Sequence, residues 1–298
     1  MLSVGILGGL SSSCIWISSL ATVGHWFSKR RGMATGIVTT AGPVGGIIFP
    51  ILFERLVPQV GFPWTIRIIG FIGIFSGLLA ILLMKTRLPP SHVINWNANF
   101  QSFTDLRFLL TLGAMFAIDF ACLIPGAYIT TYALSRGIKS TLAYQLLAII
   151  NAAAVMGRLL PGWLADHWGR FNVMILSSLP CAITILGLWL PGGGAGSIIA
   201  FSAMYGVLSG TAYSLTPVCI SQLCRTEEYG SKYGTAYMAI SPATLIGIPI
   251  AGAVLHRQDD EMHFQGLILL CGLVYLSSAV LFTLARGAGA GWRIRTVF

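Results

Sequence analysis

The sequence predicts an all-α protein that crosses a lipid bilayer many times. Charged residues make up only 9% of the 298 residues, hydrophobic residues make up 55%, and the mean hydropathy is +0.81. A soluble core could not bury so large an apolar fraction, so the surrounding solvent must be lipid. The apolar segments run far longer than a barrel strand and do not alternate with period two, which excludes a transmembrane β-barrel.

Nine segments are long and apolar enough to cross about 30 Å of hydrocarbon, a distance that takes about 20 helical residues. Charged breaks or breaks rich in Pro and Gly separate them. The predicted spans are 2–24, 32–53, 63–84, 108–131, 142–163, 173–190, 197–219, 233–255 and 264–285.

A long polar connector at residues 85–107 divides these spans into three before it and six after it. Transporters built from two six-helix halves carry a cytoplasmic linker at their midpoint. The sequence therefore predicts a partial N-terminal half at 1–84, this linker at 85–107, a complete six-helix half at 108–285 and a cytoplasmic tail at 286–298. Three spans are then missing at the front, and Met1 is an internal methionine, a misassigned start or the start of a truncated product.

The basic residues predict the orientation, because short cytoplasmic loops retain Lys and Arg. With residues 29–31 in the cytoplasm, most of the 18 basic residues fall on that side, together with the C-terminus. The few on the outer side are Arg55, Arg136, Lys139 and Arg257, and those within spans are Arg67 and Arg158. The cytoplasmic set is Lys29, Arg30, Arg31, Lys85, Arg87, Arg107, Arg170, Arg225, Lys232, Arg286, Arg293 and Arg295.

The sequence lacks the motifs that several classes of function require. The formal net charge of +9 does not indicate nucleic-acid binding, because the basic residues lie in short loops and form no stripe. No HExxH, Walker or GxSxG sequence is present, so we expect neither an enzyme nor a cofactor. The 6 cysteines are scattered without a CxxC pair, and we expect them to pack and to bind no metal.

Two loop sequences resemble known signatures. Residues 162–170, GWLADHWGR, resemble the loop signature G-x-L-A-D-x-x-G-R of the major facilitator superfamily. Residues 26–37, WFSKRRGMATGI, resemble the signature of the monocarboxylate porter family, an aromatic pair followed by K-R-R at the start of a helix. The chain is identified as a member of that family, of the fungal type. The family has twelve helices in two halves, so the resemblance implies a major facilitator fold that lacks about three N-terminal helices.

The resemblance implies that these two loops form a gate between inward-open and outward-open states. Gly162 and Gly169 permit a tight turn and close helix approach, Asp166 can cap a helix terminus, and Arg170 supplies a counter-charge. An ordinary polar turn that holds the topology through Arg170 is the alternative for the first loop. A basic cluster attracted to anionic lipid is the alternative for the second. That loop contributes three basic residues: Lys29, Arg30 and Arg31.

Three polar residues within spans are the candidate substrate and coupling residues: Arg158, Asp119 and Asn151. An ionisable group inside a membrane is a functional hypothesis by default. The resemblance implies that Arg158 binds a substrate carboxylate, whereas the family's coupling aspartate, one turn earlier, is Ala154 here. Snorkelling to the interface is the alternative for Arg158. Asp119 is either a proton carrier or a counter-charge for an arginine.

Residues 42–46, GPVGG, resemble the end of an antiporter motif, G-P-x-x-G-G, although Val38 replaces one of its earlier glycines. Ordinary packing of small residues in a membrane helix is the alternative. We expect a secondary transporter of a small organic anion or related metabolite, working by alternating access without ATP, with proton coupling left open. An exporter of a secondary metabolite and a non-transporting truncated product are the alternatives.

The expected partners are a small-molecule substrate and the lipid bilayer, with no nucleic acid and no protein partner. The expected location is a multi-pass position in the plasma membrane.

Overall fold

The computed structural model describes residues 3–85, 87, 102–256 and 263–291. Within these ranges the chain is helical and contains no strand, as predicted. A π-helical turn, Ser3–Leu7, precedes the first helix, a 3-10 turn, Ser102–Thr104, precedes the fourth, and a π-helical turn, Ile185–Trp189, extends the sixth. The helices are α1 Gly8–Trp26, α2 Arg31–Thr39, α3 Ala41–Leu83, α4 Leu106–Ser135, α5 Ser140–Trp168, α6 Arg170–Thr184, α7 Ala195–Gln222, α8 Tyr229–His256 and α9 His263–Ala290.

Eight helical stretches in the described ranges are long and apolar enough to span a membrane, and one of them is long enough to cross it twice. This stretch joins α2 and α3 over 53 residues, about 80 Å of straight helix at 1.5 Å per residue. Gly61 interrupts it with φ 78° and ψ 161°, a conformation that favours glycine. After Gly61 the chain returns to the level of the end of α1. This is shown by the Trp26 indole N–H, which donates to the Lys85 carbonyl oxygen at 3.0 Å. Two crossings by this stretch and one by each of the other seven described stretches add up to nine, the predicted number.

Two predicted boundaries differ from the structure. The fourth helix begins at Leu106, where the Asp105 carboxylate accepts a hydrogen bond from the Arg107 N–H at 3.0 Å, so the predicted linker at 85–107 overlaps the helix. Most of that linker lies outside the described residues. The last helix continues through Arg286 to Ala290, so the predicted tail at 286–298 begins inside it, and residues 292–298 are not described. Charge marks the edge of the hydrocarbon but does not end a helix, because Arg is a good helix former.

The buried core lies almost wholly in α4–α9. Within this six-helix half, α5 packs on α7, and α4 packs on both α9 and α8. Large buried side chains fill it, among them Trp189, Tyr205, Tyr275, Phe201 and Phe282. By contrast, α1 and the second crossing of α3 expose apolar side chains such as Ile15 and Phe75, which suit contact with hydrocarbon.

The centre of the half is a backbone contact between α5 and α7. A Cβ atom added at Gly157 would overlap the Val207 carbonyl oxygen, and one added at Gly206 would overlap the Ile150 carbonyl oxygen. Small residues let helices approach this closely, and in lipid such packing replaces the hydrophobic driving force between helices. The same helix α5 also packs on α2 and α3.

We predict that Gly157→Ala destabilises the protein, because the new methyl group would meet backbone that cannot move aside. The expected loss is about 2 kcal/mol, in the range for overpacked cores. It should appear as a lower midpoint of thermal unfolding in detergent. Gly234→Ala is the control, since nothing lies within 4 Å of a Cβ atom added there. Equal effects of the two substitutions would contradict the contact.

Candidate functional site

A cavity of about 400 Å³ lies among α3, α4, α5 and α7, with Ile248 of α8 at its edge. We call it the Arg158 cavity, since Arg158 supplies its cation. Its walls are mainly apolar, with two phenol rings. The lining residues of most chemical interest are Arg158, Asn151, Ser209, Tyr205, Tyr213 and Pro43. The cavity therefore combines one positive charge, hydrogen-bonding groups and apolar surface.

The Arg158 side chain is 8% exposed and points into the protein, so it does not snorkel to an interface. Its Nη1 donates to the Thr39 carbonyl oxygen, and its guanidinium carbon lies 4.8 Å from the centre of the Tyr213 ring, in a cation–π contact. Within the described ranges no carboxylate lies within 4.0 Å of this guanidinium, and its Nε–H has no acceptor. The cation is thus held by a carbonyl and a ring, without a counter-charge.

Asn151 shares the cavity with Arg158, two helical turns away along α5. Its Nδ2 donates to the Leu147 carbonyl oxygen at 3.1 Å. A Cβ atom added at Gly46 of α3 would come within 3.0 Å of the Asn151 Oδ1. The Asn151 amide on α5 therefore packs against Gly46 on α3, where the two helices meet.

Asp119 does not line the Arg158 cavity, and no ion pair of 4.0 Å or less joins it to Arg158 in the described part of the chain. Tyr213 lies within electrostatic range of both side chains. The role of Asp119, as a proton carrier or as a counter-charge for an arginine, stays a prediction. Asp119 also lies near Tyr237 of α8. Tyr237 lines a second cavity, of about 540 Å³, together with Trp16 of α1.

Asp166 joins the two signature loops. Its Oδ1 accepts a hydrogen bond from the Gly32 N–H and its Oδ2 accepts one from the Met33 N–H, both at 2.9 Å. These N–H groups belong to the first turn of α2, where no helical acceptor exists and where the helix dipole is positive. A carboxylate at the end of α5 therefore caps a helix from the other side of the molecule.

Glycines bring the backbones of α2 and α5 into contact beside this cap. A Cβ atom added at Gly162 would lie 2.5 Å from the Gly32 carbonyl oxygen, and one added at Gly32 would lie 2.5 Å from the Gly162 carbonyl oxygen. About one turn deeper, a Cβ atom at Gly36 would overlap the Arg158 carbonyl oxygen. Gly169, with φ 93°, makes the turn from α5 into α6. The two helices are closed against each other from the loop to the level of Arg158.

Arg170 forms no ion pair of 4.0 Å or less with Asp166 in the described part of the chain. Its Nη1 lies 3.4 Å from the Ser221 Oγ and 3.5 Å from the Val218 carbonyl oxygen, near the end of α7. Its charge therefore complements the negative end of that helix dipole.

The three basic residues of the second loop have separate environments. Arg31 is buried: its Nε donates to the Phe27 carbonyl oxygen at 2.9 Å, its Nη2 donates to the Gly24 carbonyl oxygen, and its guanidinium lies over the Tyr229 ring. Arg31 thus ties the end of α1 to the start of α8. Lys29 and Arg30 are exposed.

Sequence reasoning missed Tyr213 and Thr39, the two residues that hold Arg158. Tyr213 lies in an apolar run where a tyrosine carries little signal. Thr39 contributes only its carbonyl oxygen, which every residue type has. Pro43 was a usable signal for this carbonyl, because a proline removes the N–H that would otherwise bond the residue four positions earlier.

Comparison with known proteins gives consistent matches. The family model described as Major Facilitator Superfamily matches residues 1–247. The riboflavin transporter MCH5 of Saccharomyces cerevisiae is 35% identical over 320 residues, covering 98% of this chain and 61% of the relative. The aspyridones efflux protein apdF of Emericella nidulans is 34% identical over 297 residues, covering 98% of this chain and 60% of the relative. The chain spans less than two thirds of the length of these two relatives.

The fold matches a solved structure, the crystal structure of the major facilitator transporter FucP in the outward conformation. The TM-score is 0.73 at 16% identity, over 91% of this chain and 72% of that chain. The relatives are transporters and not enzymes, in agreement with the missing enzyme motifs. A family match over most of the sequence, curated relatives above 30% identity and two signature loops in direct contact lead to one conclusion: the chain belongs to the Major Facilitator Superfamily.

Proposed function

We propose that the protein is a secondary transporter of a small organic anion and that Arg158 binds the anionic group. One observation carries the proposal. The Arg158 guanidinium is buried beside a cavity of about 400 Å³ and has no described carboxylate within 4.0 Å. A buried cation without a counter-charge is unfavourable inside a membrane, and an anionic ligand would supply that charge.

The cavity walls favour an anion that carries an apolar body. Leu123, Leu147 and Ile150 offer aliphatic surface, and Tyr205 and Tyr213 offer ring faces. Asn151 and Ser209 add hydrogen-bonding groups at the margin. A small hydrophilic carboxylate would leave most of this surface unused, so we infer a carboxylate or enolate attached to a ring or an aliphatic chain.

Export of a secondary metabolite is the second candidate. Two relatives are named as efflux proteins, for aspyridones and for agnestins, while a third is named as a riboflavin transporter. The partial antiporter string at residues 42–46 also faces the cavity, through Gly42 and Pro43. Both candidates use the same cavity and differ in the direction of net flux.

We infer that the loops at residues 27–30 and 169 face the cytoplasm, as the distribution of basic residues indicates. The contact of Gly32 with Gly162 and the Asp166 cap then close the cytoplasmic side. Transport requires these contacts to break and re-form, as in other rigid-body switches. We place the protein in the plasma membrane and assign proton coupling to Asp119, which lies within electrostatic range of Tyr213, Tyr233 and Tyr237.

The anion proposal predicts that Arg158→Gln lowers uptake of carboxylates by about tenfold or more, the effect of losing one charge-assisted hydrogen bond. Uptake of labelled lactate, benzoate and riboflavin is measured in vesicles that contain the full-length gene product. Arg158→Lys is the matched variant, because it keeps the charge and loses the planar fork. No carboxylate uptake by the wild type would overturn the anion proposal, and uptake of riboflavin alone would replace it with a neutral substrate.

The gate proposal predicts that Asp166→Asn increases the population of the state with an open cytoplasmic side by about fivefold. The reason is that a helix cap contributes about 1 kcal/mol to stability. The readout is the rate at which a maleimide labels Thr35→Cys, a buried position of α2, after replacement of Cys14 and Cys224 by Ser.

Asp105→Asn is the control for the gate. Asp105 caps its own helix, α4, and joins no separate parts of the molecule. Its substitution should change stability by a similar amount and leave the labelling rate of Thr35→Cys unchanged. Equal acceleration by the two substitutions would show that labelling follows general loosening and not the gate.

The coupling proposal predicts that Asp119→Asn abolishes the acceleration of uptake by an inward proton gradient. Exchange of labelled for unlabelled substrate at equal pH should persist, because exchange needs no net proton movement. The matched control is Glu228→Gln, which removes a carboxylate paired with Lys232 at 2.9 Å outside the cavity. A gradient effect that survives in Asp119→Asn, or one absent from the wild type, would sink the assignment.

A further inference from the structure

We propose that Gly42 and Pro43 are positioning residues for Arg158, and that they hold its guanidinium in the cavity only while α2 and α3 lie against α5. The inference rests on the proposed function where it treats this guanidinium as the anion site. Its structural part concerns the Thr39 carbonyl, the N–H that Pro43 lacks and the side chain that Gly42 lacks. This part is testable without any ligand.

Pro43 leaves the Thr39 carbonyl oxygen without a helical donor. In an α-helix each N–H donates to the carbonyl four residues earlier, and proline has no N–H. The ladder is intact on both sides: the Thr40 N–H donates to the Gly36 carbonyl oxygen and the Val44 N–H donates to the Thr40 carbonyl oxygen, both at 3.2 Å. The Thr39 carbonyl is the one that Pro43 leaves without a donor four residues later, and Thr39 is buried.

Arg158 supplies the donor that Pro43 removes. Its Nη1 donates to the Thr39 carbonyl oxygen across the contact between α2 and α5. A buried carbonyl without any partner would be unfavourable by about as much as a lost hydrogen bond, so the arginine and the carbonyl satisfy each other. The orientation of the guanidinium is therefore set in part by a proline on another helix.

Gly42 provides the space for this arrangement. A Cβ atom added at Gly42 would lie 2.9 Å from the Arg158 Nη1, closer than a carbon atom and this nitrogen can approach. The Tyr213 ring supports the guanidinium from its face. With Nη1 bonded to Thr39 and one face on Tyr213, Nη2 has no partner among the described residues and remains for a ligand.

The arrangement depends on the conformational state. Thr39, Gly42 and Pro43 belong to α2 and α3, whereas Arg158 and Tyr213 belong to α5 and α7. When the two sides separate, Arg158 loses its carbonyl and keeps only the ring. The anion then binds more weakly, and by linkage a bound anion favours the state in which the sides are in contact.

The structural part is tested by a double-mutant cycle on the full chain in detergent, with no ligand present. Pro43→Ala restores an N–H for the Thr39 carbonyl. In an Arg158→Leu background this should raise the melting temperature, because the carbonyl regains a donor. In the wild-type background the gain should be smaller by several degrees or reversed, because Arg158 loses its acceptor.

Pro50→Ala is the matched control for the cycle, since Pro50 lies in the same helix and is exposed. Its effect should be the same in both backgrounds. If Pro43→Ala also changed the melting temperature by the same amount in both backgrounds, the inference would be overturned, whether or not any anion is transported. A non-additive effect supports it even if the carboxylate panel shows no uptake, so this test and the test of the proposed function fail separately.

The functional part is tested by uptake kinetics with benzoate, or with the carboxylate of the panel that the wild type takes up best. Pro43→Ala and Gly42→Ala should each raise KM by about tenfold with kcat little changed, because the ligand loses a held guanidinium. Gly45→Ala should leave both constants unchanged, since a Cβ atom there meets only Phe49 of its own helix, at 3.4 Å. Lower kcat at constant KM, or equal effects of all three substitutions, would contradict a positioning role.

Discussion

The contact of α5 with α2 and α3 is the constraint on which both the proposed gate and the Arg158 cavity depend. In a bilayer, helices gain little by hiding apolar side chains from lipid, so association rests on close packing and on polar bonds between helices. Glycines at 32, 36 and 42 on one side and at 162 on the other remove the side chains that would keep the backbones apart. Only at this separation can Asp166 reach the N–H groups of α2 and Arg158 reach the Thr39 carbonyl oxygen.

The short helix α2 is held at both ends by side chains of one other helix. Its first N–H groups donate to the Asp166 carboxylate, and its last carbonyl accepts from the Arg158 guanidinium. Asp166 thus stands at the positive N-terminus of the helix, whereas Arg158 binds a carbonyl that Pro43 leaves without its helical donor. Asp166 and Arg158 lie about two turns apart on α5, which matches the length of α2 between the groups they contact. Separation of the two helices would therefore break both bonds together, which would join the proposed gate to the proposed anion site.

The sequence was sufficient for the features that depend on composition and local pattern. Apolar run length predicted nine crossings, and the break between residues 53 and 63 correctly anticipated the turn at Gly61. The signature loop predicted that Asp166 caps a helix, but it could not say which helix, because Gly32 lies far away in sequence. The partners of Arg158 were unpredictable for a similar reason: a carbonyl has no residue identity, and the face that Tyr213 turns inward follows from the packing of α7 against α5.

Because Asp119 and Arg158 form no direct ion pair in the described part of the chain, protonation of Asp119 and binding of an anion by Arg158 can be separate events. If a carboxylate were paired directly with the arginine, its protonation would release the guanidinium, and proton binding and anion binding would be one event. Ala154 lines the cavity one turn before Arg158 and supplies no such carboxylate. The Thr39 carbonyl offers only a partial negative charge, so the guanidinium stays largely uncompensated whether Asp119 is protonated or not. We therefore propose different side chains for anion binding, Arg158, and for proton coupling, Asp119, and Tyr213 lies within electrostatic range of both.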